Sequence, residues 1–364
     1  MNKGRKIVLL ILSGIFLSLP VIEGMSWLYL WNSRRATGPS IHDYFYIDSN
    51  GVSRFRPGVS GWHIGYDNFP VTIQINSKGF RGPEIRESPE RRIVFIGDSI
   101  VFDGGVKQEK TFISLTEKLF REEGVDVEIV NAGTTDVGVD QYLLQVKSDR
   151  IQALDPDVIV VGLYLNDSRP PQGHLGEKHM LQKILDMPVV RDLAMRQLII
   201  EKYINIKLKL NQISTQRFDW VQRFLSGRWR TDLSQFKQMV QEARYDWGAA
   251  WELSFDDVVF PALREIRDLC LKNGITMALV LFPVGPQVYT EFEDPYIDYP
   301  QARLLEFAKR ERLSVLDLLL ILRTYRHEPL FTDHAHLNQK GNEVVAYSIF
   351  PFLKEILNSQ DEYY

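Results

Sequence analysis

From residue 92 onward, short runs of consecutive apolar residues alternate with segments whose apolar residues recur at helical spacing. "RIVFIG" precedes "EKTFISLTEKLFREEG", and "VDVEIVNAG" precedes "VDQYLLQVKSDRIQAL". "PDVIVVGLYLND" follows, then "GITMALVLFP" before "PQARLLEFAKRER", a fifth run "LSVLDL", and a closing segment "NEVVAYSIFPFLKEIL". Runs that are apolar throughout suit strands buried on both faces, and their alternation with helices implies parallel pairing through crossovers. The pattern predicts an α/β domain over residues 91–358: three layers, α/β/α, around a parallel flavodoxin-like sheet of five strands.

Two stretches depart from this rhythm. Residues 169–255 hold amphipathic, aromatic-bearing pieces such as "FDWVQRFLSGRWR", too patterned for a structureless loop, and predict a helical insertion at the carboxyl edge of the sheet. Its helices pack a satellite core of their own or form an apolar lid or membrane-facing surface. Residues 36–90 are loop-rich, with alternating pieces such as "VTIQINSKGFRG", and predict a small strand-bearing collar.

The amino-terminal residues carry a third pattern. Lys3, Arg5 and Lys6 precede an apolar run from Ile7 to Val21, which resumes after Glu23 through Trp31. Residues 7–31 together are long enough to cross a hydrocarbon core of roughly 30 Å as a helix. No small-residue cleavage site follows, which favours a retained transmembrane signal-anchor over a cleaved signal peptide. Trp27 and Trp31 suit the far interface, where Glu23 would also be tolerated. Arg34 and Arg35 dilute the charge bias, and the expected orientation leaves the rest of the chain extracytoplasmic.

Composition narrows the chemistry. The 364 residues are 45% apolar and 25% charged, ordinary for a globular protein, and the net charge of −4 offers no basic field for a nucleic-acid partner. The single cysteine, Cys270, excludes an internal disulfide framework and sits in a helical pattern as a buried thiol. Nothing in the chain fixes an oligomeric state.

The first strand ends on Gly97-Asp98-Ser99, and a serine that opens a helix lies beside unpaired N–H groups able to stabilise an oxyanion. A nucleophilic serine also needs a base, an orienting carboxylate and further donors at neighbouring strand ends. "NAG" (131–133) ends the second strand, and "LND" ends the third with Asn166. "FTDHAHLNQKGN" follows the fifth, with Asp333 three residues before His336. Asp98 is expected to cap the helix at Ser99, Asp167 to be structural, and "NSKGFRG", with Arg81, to be a turn against the core. Trp247 and Trp251 read as core.

With these four blocks in order, the chain from about Arg92 to Leu357 resembles the SGNH hydrolases, the GDSL esterase and lipase superfamily, in the manner of a membrane-anchored bacterial member. "GDSIVFDGGVKQEKTF" is similar to the first block of that superfamily and "DHAHLNQKGNEVVA" to its last. The resemblance implies Ser99 as nucleophile, His336 as base and Asp333 as its orienting acid. It also implies an oxyanion hole from the Ser99 and Gly133 backbone N–H groups and the Asn166 side chain. Tyr164 stands where the superfamily often has glycine, a departure that bears on the backbone of that loop.

The implied activity is ester hydrolysis through a Ser99 acyl-enzyme, without a cofactor or metal, on acyl groups (acetyl above all) of surface glycans or lipids. An O-acetyltransferase modifying an exported polysaccharide would use the same acyl-enzyme, and a non-catalytic anchored scaffold is the alternative of another class. Asp333, His334 and His336 also have the spacing of metal ligands, although that reading leaves the other blocks unexplained.

Overall fold

The computed structural model describes residues 18–32, 45–48, 52–64, 70–135, 137–168 and 219–361. The chain separates into two units, residues 1–43 with 177–214, and residues 44–176 with 215–364. In the first unit, residues 18–32 are helical, with Trp27 and Trp31 stacked at 6.2 Å. Residues 7–17 of the expected span lie outside the described residues, and among those described no helix is long and apolar enough to cross a membrane.

The second unit opens with two hairpins, β1 (Phe45–Ile47) with β2 (Ser53–Phe55) and β3 (Ser60–Ile64) with β4 (Pro70–Gln74). Then come the parallel strands β5 (Arg91–Gly97), β6 (Val127–Asn131), β7 (Val158–Tyr164), β8 (Thr276–Phe282) and β9 (Ser314–Asp317). Their order is β6-β5-β7-β8-β9, the flavodoxin-like order. All seven residues of β7 are buried, as are all but the first of β5 and β8, because helices cover both faces.

On one face the helix Phe112–Glu122 packs against Gln339–Asp361 through Phe120 and Phe350, 4.8 Å apart and edge to face. Phe112 lies at 5.7 Å from Phe95 of β5 and 5.5 Å from Phe282 of β8, tying that helix to the sheet centre. On the other face the helix Leu253–Lys272 stacks Phe260 on Phe307 of Tyr299–Glu311 at 4.3 Å and packs beside Val139–Lys147. Cys270 is buried there, and burial pushes its thiol up to about 12.

The strand β6 lies at the sheet edge, and the segment after β4 covers it: Arg81 bridges Asn131, while the outward Ile129 N–H donates to Glu117 Oε2 at 2.9 Å.

Three local outcomes differ from the periodicity. The segment "VDQYLLQVKSDRIQAL" breaks at Ser148, whose extended backbone and hydroxyl bond to Gln145 O at 2.6 Å separate Val139–Lys147 from Asp149–Gln152. "LSVLDL" is strand only to Asp317, whose carboxylate accepts Leu319 N–H and starts the helix Leu318–Thr324. Within 169–255, residues 169–218 lie outside the described residues. The rest forms the helices Asp219–Ser226 and Leu233–Glu242, a turn at Trp247–Trp251 and the start of Leu253–Lys272.

Phe112, wholly buried between two strands and a helix, makes a direct test of this packing. Phe112→Ala is expected to cost about 3–5 kcal/mol. It should lower the urea midpoint without changing the slope of the transition.

Candidate active site

Ser99 stands at the carboxyl end of β5, beside β7, where the connections leave the sheet in opposite directions; ligands of such sheets bind there. It opens the four-residue helix Ser99–Phe102, and Asp98 caps that helix by accepting Ile100 N–H at 2.8 Å. The turn is sunk into the sheet. A Cβ on Gly97 would come within 2.2 Å of Val101 Cγ2, one on Gly162 within 2.4 Å of the same atom, and one on Gly133 within 2.3 Å of Phe102 N. Glycine at these strand ends is what lets the helix descend.

The opposite end of the helix is held by Arg81. It is 2% exposed, and its guanidinium donates to the carbonyls of Phe102 and Asp103, to Val106 O at 2.7 Å and to Gln108 Oε1 at 3.1 Å. A cation on the last carbonyls of a helix opposes their partial negative charge. The "NSKGFRG" turn that delivers it is closed by Asn76, whose Oδ1 accepts the N–H groups of Lys78 and Phe80 at 3.0 Å each. Beside Arg81, burial pushes the Asp103 carboxyl up to about 8 against the opposing pull of Arg81 and Asn342, and its Oδ2 has no hydrogen-bond partner.

Asp333 and His336 share the loop after the helix Leu318–Thr324. One Asp333 oxygen accepts the backbone N–H groups of Ala335 and His336, each at 2.7 Å, and the other lies 2.8 Å from His336 Nδ1. His336 Nε2 lies 3.0 Å from Ser99 Oγ. The carboxylate on Nδ1 fixes the tautomer that leaves Nε2 free to accept the serine proton. Burial works to raise the Asp333 carboxyl, but the hydrogen bonds and charge of His336, with the charge of His334, hold it well below the usual carboxylate range.

His334 does not join the pair. Its ring packs edge to face on Trp220 at 4.5 Å, and its carbonyl accepts Gly285 N–H at 2.7 Å. The three side chains do not converge, and among the described residues no cluster of histidine, cysteine and acidic groups could hold a metal ion. Trp247 is wholly buried against Trp220, and Trp251 donates its indole N–H to Tyr296 O at 2.6 Å. Both therefore pack as core.

Asn166 stands in the turn after β7, in a loop closed by the side chain of Asp167. That carboxylate, wholly buried, accepts Tyr164 N–H at 2.8 Å and Tyr142 O–H at 2.7 Å. The loop thus reaches a defined shape with Tyr164 in the place often held by glycine. Asn166 Nδ2 makes a long 3.5 Å contact to Asp246 Oδ1, a residue that sequence reasoning did not single out.

Gly133 requires a correction. Ala132 and Thr134 donate to Phe95 O and Gly97 O, so along this strand the N–H of Gly133 points away from β5 and from Ser99. It donates instead to Asn131 Oδ1 at 3.0 Å. Strand alternation therefore removes Gly133 from the oxyanion hole and leaves it the close approach to Phe102.

Asp103 gives a pH test. Its folded carboxyl titrates near 8 and its unfolded one near 3.9, so the folded state holds the extra proton between those values and stability falls as pH rises across them. Asp103→Asn keeps the shape and removes the charge. Its urea midpoint should match the wild type near pH 4 and exceed it increasingly up to pH 8.

No family model matches the sequence, and no curated protein matches it. Solved structures do resemble it. One is a member of the lipolytic G-D-S-L family from Veillonella parvula, 12% identical, TM-score 0.39, covering 72% of this chain and 97% of its own. An acetyl xylan esterase is 15% identical with TM-score 0.39, covering 71% and 98%. A catalytic mutant of an acetylxylan esterase from Geobacillus stearothermophilus is 13% identical with TM-score 0.41, covering 72% and 94%. These similar structures carry GDSL and esterase names.

Proposed function

We propose that the protein is a serine ester hydrolase working through a Ser99 acyl-enzyme. The observation that carries this reading is the unbroken relay from Ser99 Oγ to His336 Nε2 at 3.0 Å and from His336 Nδ1 to Asp333 at 2.8 Å. Ser99 Oγ attacks the ester carbonyl carbon while His336 takes its proton, and the ionised Asp333 stabilises the imidazolium. The oxyanion is received by the Ser99 N–H, which has no intrahelical partner at the helix start, and by Asn166 Nδ2 in place of its long contact to Asp246. His336 then protonates the leaving alcohol and activates the water that frees the acyl group.

The substrate class in this reading is an acylated, chiefly acetylated, surface glycan or lipid. The apolar stretch 7–31 supports a membrane anchor that holds the catalytic domain outside the cytoplasm. Transfer of the acyl group to a sugar hydroxyl instead of water is distinguished by product analysis with acetyl esters, with and without polysaccharide acceptor. Acetate release that persists unchanged with acceptor present identifies hydrolysis.

A fluorophosphonate probe is expected to label Ser99 alone, and Ser99→Ala to lose the label while keeping its thermal midpoint. Ester turnover by Ser99→Ala at the wild-type rate would end the esterase reading. His336→Ala should abolish turnover of nitrophenyl acetate, whereas His334→Ala should retain most of it. Asn166→Ala should lower kcat roughly 10²–10³-fold with little change in KM, since its hydrogen bond forms as charge develops on oxygen.

A further inference from the structure

We infer that the cleft between the collar and the end of β6 is an anion-binding site, built by Arg54 and Arg150, for a carboxylate or phosphate group. Arg150 follows the break at Ser148, which turns its side chain onto the collar. There the guanidinium lies flat on the Phe80 ring at 3.8 Å, with Nη2 packed against Gly79 close enough to lie 3.1 Å from a Cβ placed there. Its Nε is buried and has no hydrogen-bond partner, and among the described residues Arg150 makes no ion pair. Burial, then the charge of Arg54, pull its guanidinium down to about 10, so the fold holds it where positive charge is costly.

Arg54, 9% exposed, faces the same cleft and brings a second positive charge. The carboxylate paired with it, Asp48, takes Arg54 Nε on Oδ2 at 2.7 Å and Val52 N–H on Oδ1 at 2.9 Å, and its charge offsets only part of the positive charge of Arg54 and Arg150. Among the described residues that line the cleft none is acidic, and the nearest carboxylate whose charge reaches Arg150 is Asp48. Thr134 and Gln145, each 4% exposed, complete its wall, and because the Thr134 hydroxyl accepts from Gln145 Nε2 at 3.1 Å, its own O–H is left to donate.

Two guanidiniums and a hydroxyl donor around one small cavity match an oxyanion. A buried arginine without a partner is otherwise a net cost to the fold. A bound anion supplies the missing hydrogen bonds and relieves the repulsion between the two arginines.

The test uses the full-length chain in detergent, at constant ionic strength in chloride, with thermal midpoint as readout. Inorganic phosphate and glucuronate are added in separate titrations, which distinguishes a phosphate from a carboxylate ligand. At least one should raise the midpoint saturably, and Arg150→Gln should weaken that response on the order of tenfold or more. Ser99→Ala should keep the response, which separates this site from the hydrolase chemistry. Without added anion, Arg150→Gln should be as stable as the wild type or more so. A merely structural arginine predicts destabilisation instead. If Arg150→Gln fails to fold, Arg54→Gln carries the same expectation for the titration. No saturable rise with either anion, or an equal rise in wild type and variants, overturns the proposal.

Discussion

The depth to which the turn Ser99–Phe102 sinks into the end of the sheet governs the rest of the site. Three neighbouring strand ends present a glycine to this turn, Gly97, Gly162 and Gly133, and a methyl group at any of them would collide with Val101 or Phe102. Val101 and Phe102 are consequently buried completely, and the short helix has the rigidity of the sheet rather than that of a surface loop. Ser99 on such a platform cannot adjust its position, so His336 must be brought to it. The Asp333 loop does this by satisfying two backbone N–H groups with one oxygen and the His336 ring with the other. A single carboxylate fixes both the shape of the loop and the direction of the imidazole.

The collar completes this arrangement from outside the α/β frame. Arg81 enters at the open edge of the sheet, where its backbone bridges Asn131, and its side chain passes inward to the carbonyl end of the turn Ser99–Phe102. The residue that protects an exposed strand edge thereby also clamps the helix Ser99–Phe102. Its cost is a charge buried beside Asp103, whose carboxyl answers by holding its proton rather than forming an ion pair.

Much of this was legible in the residues and some was not, for identifiable reasons. Continuous apolar runs placed the strands β5 to β8 because two-sided burial leaves few other options for such runs, whereas β9, an edge strand with no buried residue, followed from the alternation alone. Asp333 and His336 were legible because a three-residue spacing within one loop is a local matter. Gly133 was misassigned because strand alternation counts from a register that the sequence does not print: one residue's shift reverses which N–H faces β5. Arg81 could be placed in a turn but not in the site, since its partners Phe102, Asp103 and Val106 lie more than twenty residues away and offer backbone carbonyls common to every residue. The helix break at Ser148 turned on one hydroxyl competing with the backbone, a choice that periodicity does not register.

The same distinction separates the two wings around the triad. On the side of β8 and the closing loop, Trp220, Trp247 and the His334 ring pack edge to face, so the wall beside His336 is aromatic and tightly filled. On the side of β6, the collar meets the sheet through Arg54, paired with Asp48, and Arg150, stacked on the Phe80 ring. In the proposed esterase, an ester at Ser99 would have this aromatic wall on the side of His336. Exclusion of water on that side is fixed before any substrate arrives. Under the proposed function, preorganisation of this kind would let Asp333, His336 and Ser99 act without reorganising the protein around them.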